Sequence, residues 1–138
     1  TTASIDYSKI GSLKDIISTL DYTSFPTKIK QVCVPGVIAE GYKEISREDE
    51  SKFINIFYEN DGDGWYKYRQ MTVEQNTFLD TEEGDWDSLS IGQYPGVYIE
   101  KDHTGNLWWF DYTYAYQLQG NLSEEEMIAV AESLLAEK

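Results

Sequence analysis

Residues 53–73 read FINIFYENDGDGWYKYRQMTV, and this stretch decides the fold. Residues 53–58 and 65–73 are rich in aromatic and β-branched side chains, which favour β-strands. Between them lies Asn60-Asp61-Gly62-Asp63-Gly64, a composition typical of a tight turn in which the glycines adopt positive φ. The stretch therefore predicts a β-hairpin.

Further strands are predicted on both sides of the hairpin. Residues 28–34 alternate in the manner of a strand that ends at Pro35-Gly36, and residues 37–46 are a second candidate. A charged turn is expected at 47–51 and an acidic loop at 76–88. Downstream, short β runs separated by turn residues lie at 89–91, 97–101, 107–112 and 114–119. The pattern predicts an antiparallel sheet, a meander of about six strands within residues 28–119.

A helix is predicted at each end of the chain. Residues 12–22 place apolar side chains at i, i+3, i+4 and i+7 behind Ser12, a suitable N-cap. Ser123 and Glu126 form a Ser-x-x-Glu capping box at the start of a second helix over 123–137. We therefore predict one α+β domain over residues 1–138, with both helices packing on one face of the sheet.

The charge of the chain excludes several classes of partner. Its 138 residues include 25 Asp and Glu against 11 Lys and Arg, a net charge of −14. Nucleic acid and anionic lipid both require positive charge on the protein, so neither is an expected partner. Cys33 is the single cysteine, which excludes an internal disulfide. No window approaches the roughly 20 apolar residues of a membrane span, and no signal segment is recognised.

The residues that carry catalysis are sparse, and we expect no enzyme. The single histidine, His103, lies in the predicted turn 102–106, whereas Cys33 lies within a predicted strand. Nothing pairs the histidine with a nucleophile, and no phosphate-binding glycine motif occurs. A hydrolase would instead need two carboxylates facing each other across a cleft.

Acidic residues between 80 and 87 form the densest cluster of candidate metal ligands. They are Asp80, Glu82, Glu83, Asp85 and Asp87. Hard cations such as calcium bind carboxylate oxygens, but an acidic surface loop has the same composition, and the spacing matches no defined calcium loop. The 60–64 segment could likewise be a calcium loop or a hairpin turn, and the strands predicted on either side of it favour the hairpin turn. No other cofactor is expected.

Aromatic side chains are abundant, at 14% of the chain. Strand alternation places Trp108 with Phe110 on one face and Leu107 with Trp109 on the other. They could form the core and cross-strand pairs, or an exposed patch that stacks on a glycan, peptide or apolar ligand. The candidate binding residues are Trp65, Trp86, Trp108, Trp109, Tyr112 and Tyr114.

Several motifs in the second half occur together in a known family. They are IGQYPGVY at 91–98, GNLWW at 105–109, YAYQLQGNLSEEE at 114–126 and IAVAESL at 128–134. The hairpin fits the same pattern through YENDG at 58–62 and YRQ at 68–70. With these motifs in this order, the chain resembles the bacterial domain of unknown function (DUF) family 4367.

The resemblance implies a location outside the cytoplasm. Family members are mostly secreted, lipid-anchored or membrane-anchored, anti-sigma-like proteins of Gram-positive-type bacteria, and the family supplies no catalytic residues. We therefore expect a non-catalytic extracytoplasmic interaction or sensor domain with a protein or glycan partner, anchored if at all through a segment outside this sequence. The alternative is a small-ligand or glycan-binding module with its pocket between the sheet and the terminal helix.

Overall fold

A computed structural model describes residues 13–137, so the predicted cap at Ser12 lies outside the described residues. The helices are α1 (Leu13–Ile17) and α2 (Glu124–Glu132), and short 3-10 turns occupy Tyr22–Ser24 and Leu79–Thr81. The strands are β1 (Cys33–Pro35), β2 (Lys43–Asp49), β3 (Phe53–Glu59), β4 (Trp65–Met71), β5 (Asp87–Ile91), β6 (Tyr94–Lys101), β7 (Thr104–Phe110), β8 (Ala115–Gly120) and β9 (Leu134–Ala136).

Seven strands form one antiparallel sheet in the order β2-β3-β4-β8-β7-β6-β5. Strands β2 to β4 form one meander and β5 to β8 form another, and the pairing of β4 with β8 joins them. Residues 72–86 connect β4 to β5 at the far edge of the sheet. The α+β class is thus confirmed, but the sheet is larger than the predicted six strands, and its two meanders replace the single predicted one.

The predicted hairpin is confirmed as β3 and β4, which pair from Phe53↔Met71 to Glu59↔Trp65. In its turn, the Asn60 side-chain oxygen accepts hydrogen bonds from the amides of Gly62 and Gly64, at 2.8 and 2.9 Å. The expectation of positive φ was wrong for both glycines. A Cβ at Gly64 would instead meet the ends of the Asn60 and Tyr42 side chains, so a larger residue there would displace them.

One face of the sheet is closed by α2 and by the β1–β9 strand pair. Its core contains Ile54, Ile56, Tyr58, Tyr66, Tyr68, Leu107, Trp109, Tyr116, Leu118, Met127, Val130 and Ala131. The capping box that fixes the start of α2 is confirmed: the Ser123 hydroxyl accepts from the Glu126 amide, and the Glu126 carboxylate accepts from the Ser123 amide. The apolar stripe of α2 is therefore positioned directly over the sheet.

Polar side chains on this closed face bind the backbone of the segment that crosses it. Gln70 is fully buried; its side-chain oxygen accepts from the Cys33 amide at 2.9 Å, and its side-chain NH₂ donates to the Gln31 carbonyl at 3.0 Å. The Tyr68 hydroxyl donates to the Cys33 carbonyl at 2.6 Å. Burial raises the pKa of Tyr68 above its ordinary value, so the hydroxyl stays protonated and keeps donating.

Both helices do not pack on one face, so that prediction was wrong. Leu13 of α1 lies in a second core on the opposite face, together with residues such as Val97 and Phe110. The reason is strand alternation: residues on both faces of β7 are buried and apolar, so each face requires its own covering layer. The helix over 12–22 is also shorter than predicted and is followed by a separate 3-10 turn.

The two ends of the sheet-forming region also differ from prediction. The strand predicted at 28–34 is limited to β1, which pairs with β9 through Val34↔Leu135, so the helix predicted over 123–137 ends at Glu132. The charged turn predicted at 47–51 instead lies partly in the edge strand β2. Charged side chains on an exposed edge discourage pairing with other chains, which explains a strand of turn-like composition.

Replacing Gly120 with alanine should strongly destabilise the fold. Gly120 has a φ of 153°, and a Cβ would lie 2.5 Å from the Tyr66 Cα on the paired strand. Since backbone must move, we expect a loss of about 3 kcal/mol or more in the free energy of unfolding, measured by urea denaturation. Gly62→Ala is the matched control: its Cβ would make only an ordinary contact with Asn60 at 3.6 Å. Equal losses in the two variants would contradict this account.

Candidate functional site

The face of the sheet opposite α2 changes from apolar to polar along the strands. Cross-strand neighbours form three successive rows. The first row, Phe53–Met71–Ala115–Phe110, belongs to the second core, which α1 helps to cover. The second row is Asn55–Arg69–Gln117–Trp108, and the third is Phe57–Lys67–Gln119–Asn106. The polar part of this face is thus built by β3, β4, β8 and β7 together.

An open cavity of about 540 Å³ lies over this polar part. Its floor is formed by the sheet, and one wall is formed by the 79–87 loop, which contributes Asp80, Glu83 and Trp86. The remaining lining residues are Lys67, Arg69, Gly84, Ile99, Lys101, Asn106, Trp108, Gln117 and Gln119. A neighbouring cavity of about 370 Å³ shares Arg69, Asp80 and Trp108 with it. These volumes are in the range of small-molecule sites.

Three buried polar atoms of the second row make no hydrogen bond within the described part of the chain. They are the Arg69 Nε, the Trp108 Nε1 and the Asn55 side-chain oxygen; Arg69 and Trp108 line the cavity, whereas Asn55 does not. All three belong to the second row, in which Asn55 faces Arg69 and Gln117 faces Trp108. Gln117 is only 7% exposed and Trp108 only 3%. Because buried polar groups in folded proteins are normally paired, these three atoms are exceptions among the described residues.

Positive charge is concentrated at this cavity, although the chain is strongly acidic. Lys67, Arg69 and Lys101 line it together with two carboxylates, Asp80 and Glu83. Arg69 also lies over the Phe53 ring, 5.0 Å from its centroid. Burial lowers the pKa of Lys67, and the neighbouring Arg69 charge lowers it further, while Asp80 opposes the shift. Lys67 is thus a half-buried cation that lies close to a second cation, Arg69.

A different cavity lies where a pocket between the sheet and the terminal helix was expected. It measures about 320 Å³ and is lined by residues that include Cys33, Asp111, Tyr116 and Ala131. Two of its polar side chains are already paired, because the Asp111 carboxylate accepts from the amides of Thr113 and Tyr114 and from the Tyr116 hydroxyl. Burial raises the pKa of the Cys33 thiol, and the Asp111 charge raises it further. This cavity is the weaker candidate for a ligand.

The structure separates the six aromatic residues predicted to bind a ligand. Trp86 and Trp108 line the polar cavity. Trp109 and Tyr114 are buried in the core beneath α2. Trp65 and Tyr112 are exposed, at 37% and 49%, and neither lines the cavity. The expectation of exposure was therefore wrong for Trp108, Trp109 and Tyr114, which alternation within buried strands places inside.

The acidic loop does not gather its predicted metal ligands. Within residues 13–137, no group of three or more His, Cys, Asp or Glu side chains is arranged to hold a metal ion. The loop instead turns at Gly84, which has a φ of 102°, and the Trp86 indole donates to the Glu83 carbonyl at 2.7 Å. Of the predicted ligands, Asp80 and Glu83 line the polar cavity, whereas Glu82, Asp85 and Asp87 do not. The loop thus serves as a wall of the cavity.

Sequence reasoning missed the polar residues that form the cavity floor. A signal was present: Lys67-x-Arg69 and Gln117-x-Gln119 place long polar side chains at alternate positions of strands that are otherwise aromatic or aliphatic. In a strand, residues two apart lie on the same face. Such a pattern in two strands that become neighbours indicates a shared polar face, but the pairing of β4 with β8 is needed to bring them together.

The fold and cavity define an antiparallel α+β domain with a polar site on one sheet face. The chain belongs to the family described as Domain of unknown function (DUF4367), whose model matches residues 32–134. This range contains every residue that lines the 540 Å³ cavity. Comparison with curated proteins gave no match, and comparison with solved structures gave none. Among residues 13–137, no helix is both long and apolar enough to cross a membrane.

Gln70 and Gln117 lie on opposite faces of the sheet, and replacing each with leucine should change the free energy of unfolding by different amounts. Gln70→Leu would leave the Cys33 amide and the Gln31 carbonyl without partners, and we expect it to cost about 3 kcal/mol of unfolding free energy. Gln117→Leu removes an amide that makes no hydrogen bond in the described structure, so the cost should stay within about 1 kcal/mol or become a gain. Urea denaturation of both variants tests this. A loss for Gln117→Leu as large as that for Gln70→Leu would show that Gln117 is structural.

Proposed function

We propose that this chain is a non-catalytic ligand-binding or sensor domain, and that the cavity on the polar sheet face binds a small polar ligand or a glycan unit. The observation that carries this proposal is the row of buried polar atoms at Asn55, Arg69 and Trp108, which have no hydrogen-bond partner in the part of the chain that the structure describes. Leaving such atoms unpaired costs stability. A bound ligand that supplied the missing hydrogen-bond partners would remove this cost.

The composition of the cavity supports a polar ligand. Amides of Asn106, Gln117 and Gln119 can both donate and accept, which suits hydroxyl and amide groups. The Trp86 and Trp108 side chains provide apolar surface beside these polar groups, the combination typical of small-molecule sites. The geometry thus favours the small-ligand alternative, with the binding surface in a polar cavity instead of among exposed aromatics.

A non-catalytic role is supported by the state of the residues that could react. A nucleophilic cysteine needs a lowered pKa, whereas burial raises the pKa of Cys33. Asp80 and Glu83 line one cavity, but both are exposed on a loop and are not held in a buried, water-excluding site of the kind that acid catalysis by a carboxyl group uses. The proposed location outside the cytoplasm, in a bacterial envelope protein, rests on the resemblance to the family.

Binding can be tested with a library of small polar fragments. We expect fragments to shift the NMR signals of the Gln117, Gln119 and Asn106 side-chain amides and of the Trp108 indole. Gln117→Leu should weaken these fragments about tenfold or more, since a buried hydrogen-bonding group that loses its partner costs at least that factor. Tyr112→Ser is the control, because Tyr112 is exposed but does not line the cavity.

Two results would contradict the proposal. If the fragments shift only signals around Tyr112, or if Tyr112→Ser abolishes binding, the exposed aromatics form the site. If bound esters, peptides or glycosides are turned over, the non-catalytic role is wrong.

A further inference from the structure

Two cations at the polar cavity, Lys67 and Arg69, are partly buried and yet make no ion pair in the described structure. The partly buried Arg47 pairs with Asp49 and Glu137, and the exposed Lys52 pairs with Glu74. The other described cations without an ion pair are exposed: Lys14, Lys28, Lys30, Lys43 and Lys101. Lys67, Arg69 and Lys101 make no ion pair within 4.0 Å in residues 13–137. A partly buried cation without a counter-charge is costly, so Lys67 and Arg69 at one cavity of a chain with 25 acidic residues against 11 basic ones favour an anionic ligand there.

The unpaired donors at this cavity point to the same chemistry. The Arg69 Nε and the Trp108 Nε1 are buried N–H groups without acceptors among residues 13–137, and their residues flank Gln117 in one cross-strand row. A carboxylate has two oxygens and about four lone-pair sites, so it can accept from both donors at once. Hydrogen bonds to an ionised group are stronger than those to a neutral one, which favours an acid over a neutral ligand.

Asp80 and Glu83 limit how much negative charge the cavity tolerates. These two carboxylates line it together with Lys67, Arg69 and Lys101, and a third carboxylate, Glu48, acts on Lys67 from the edge strand. Each negative charge on a ligand is repelled by these carboxylates, so a phosphate dianion faces more repulsion than a carboxylate monoanion.

From these features, and on the basis of the proposed function, we propose that the cavity binds a small organic monocarboxylic acid. Its carboxylate accepts hydrogen bonds from Arg69 and Trp108 beside the Lys67 ammonium. Its remaining hydroxyl or amide groups meet Gln117, Gln119 and Asn106. Arg69 is therefore the residue that selects acids, and the amide side chains recognise the rest of the ligand.

Matched acid and amide fragments test this charge selection. The fragment set contains each acid together with its primary amide, for example glucuronate with glucuronamide, and inorganic phosphate is added separately. We expect acids to shift the signals of Trp108 and Gln117 at concentrations about tenfold lower than their amides. Phosphate should bind more weakly than the acids. The pairs differ in charge but hardly in shape, so the ratio within a pair isolates the anionic group.

Arg69→Met is the variant that assigns the preference to one residue. It should lower the affinity for acids about tenfold or more and leave the affinity for amides within about threefold. Lys43→Met is the control: Lys43 is exposed on the edge strand β2 and outside the cavity, and the substitution removes the same charge. Binding to Lys43→Met should match that of the unmodified chain.

The possible failures separate the two proposals. Acids and amides that bind equally at the cavity would overturn the acid preference and leave the proposed function standing. Phosphate that binds more tightly than the acids would overturn the preference for a monocarboxylate. If neither acids nor amides shift the cavity signals, both proposals fail.

Discussion

Pairing of β4 with β8 is the constraint on which the rest of the structure depends. It joins two meanders that are each local in sequence, and it aligns Tyr66 with Gly120 at one end and Met71 with Ala115 at the other. The same register places Arg69 beside Gln117 and Lys67 beside Gln119. A one-residue shift would turn every side chain of a strand to the opposite face. The closed core and the polar cavity therefore depend on a single alignment.

The two faces of the sheet differ in whether their buried polar side chains have hydrogen-bond partners. Under α2, Gln70 and Tyr68 are buried and bonded to backbone groups of Gln31 and Cys33, so burial costs little. On the other face, the buried Arg69 Nε and Trp108 Nε1 have no acceptor within the described range 13–137. Unpaired groups lower stability, and proteins retain such costs mainly where function requires them. This contrast within one sheet is the physical basis for assigning the site.

Local signals in the sequence were sufficient for the local elements. The turn at 60–64, the capping box at Ser123 and the strand alternation that separates Trp108 from Trp109 are all confirmed. The helices on opposite faces, the β1–β9 pair and the cavity required contacts between distant segments, which periodicity does not encode. The aromatic residues suggested a binding surface, but most of them lie in the core. The residues that indicate the polar cavity are Lys67, Arg69, Gln117 and Gln119, which interrupt the aromatic strands.

A crystal structure at high resolution would test the central claim, that the polar sheet face is an open binding site. The account predicts an ordered acceptor, a water or an acid from the solution, within about 3.2 Å of both the Arg69 Nε and the Trp108 Nε1. It also predicts that the cavity beside the 79–87 loop remains open. A direct hydrogen bond from the Arg69 Nε to the Asn55 side-chain oxygen, with the loop packed into the cavity, would contradict it.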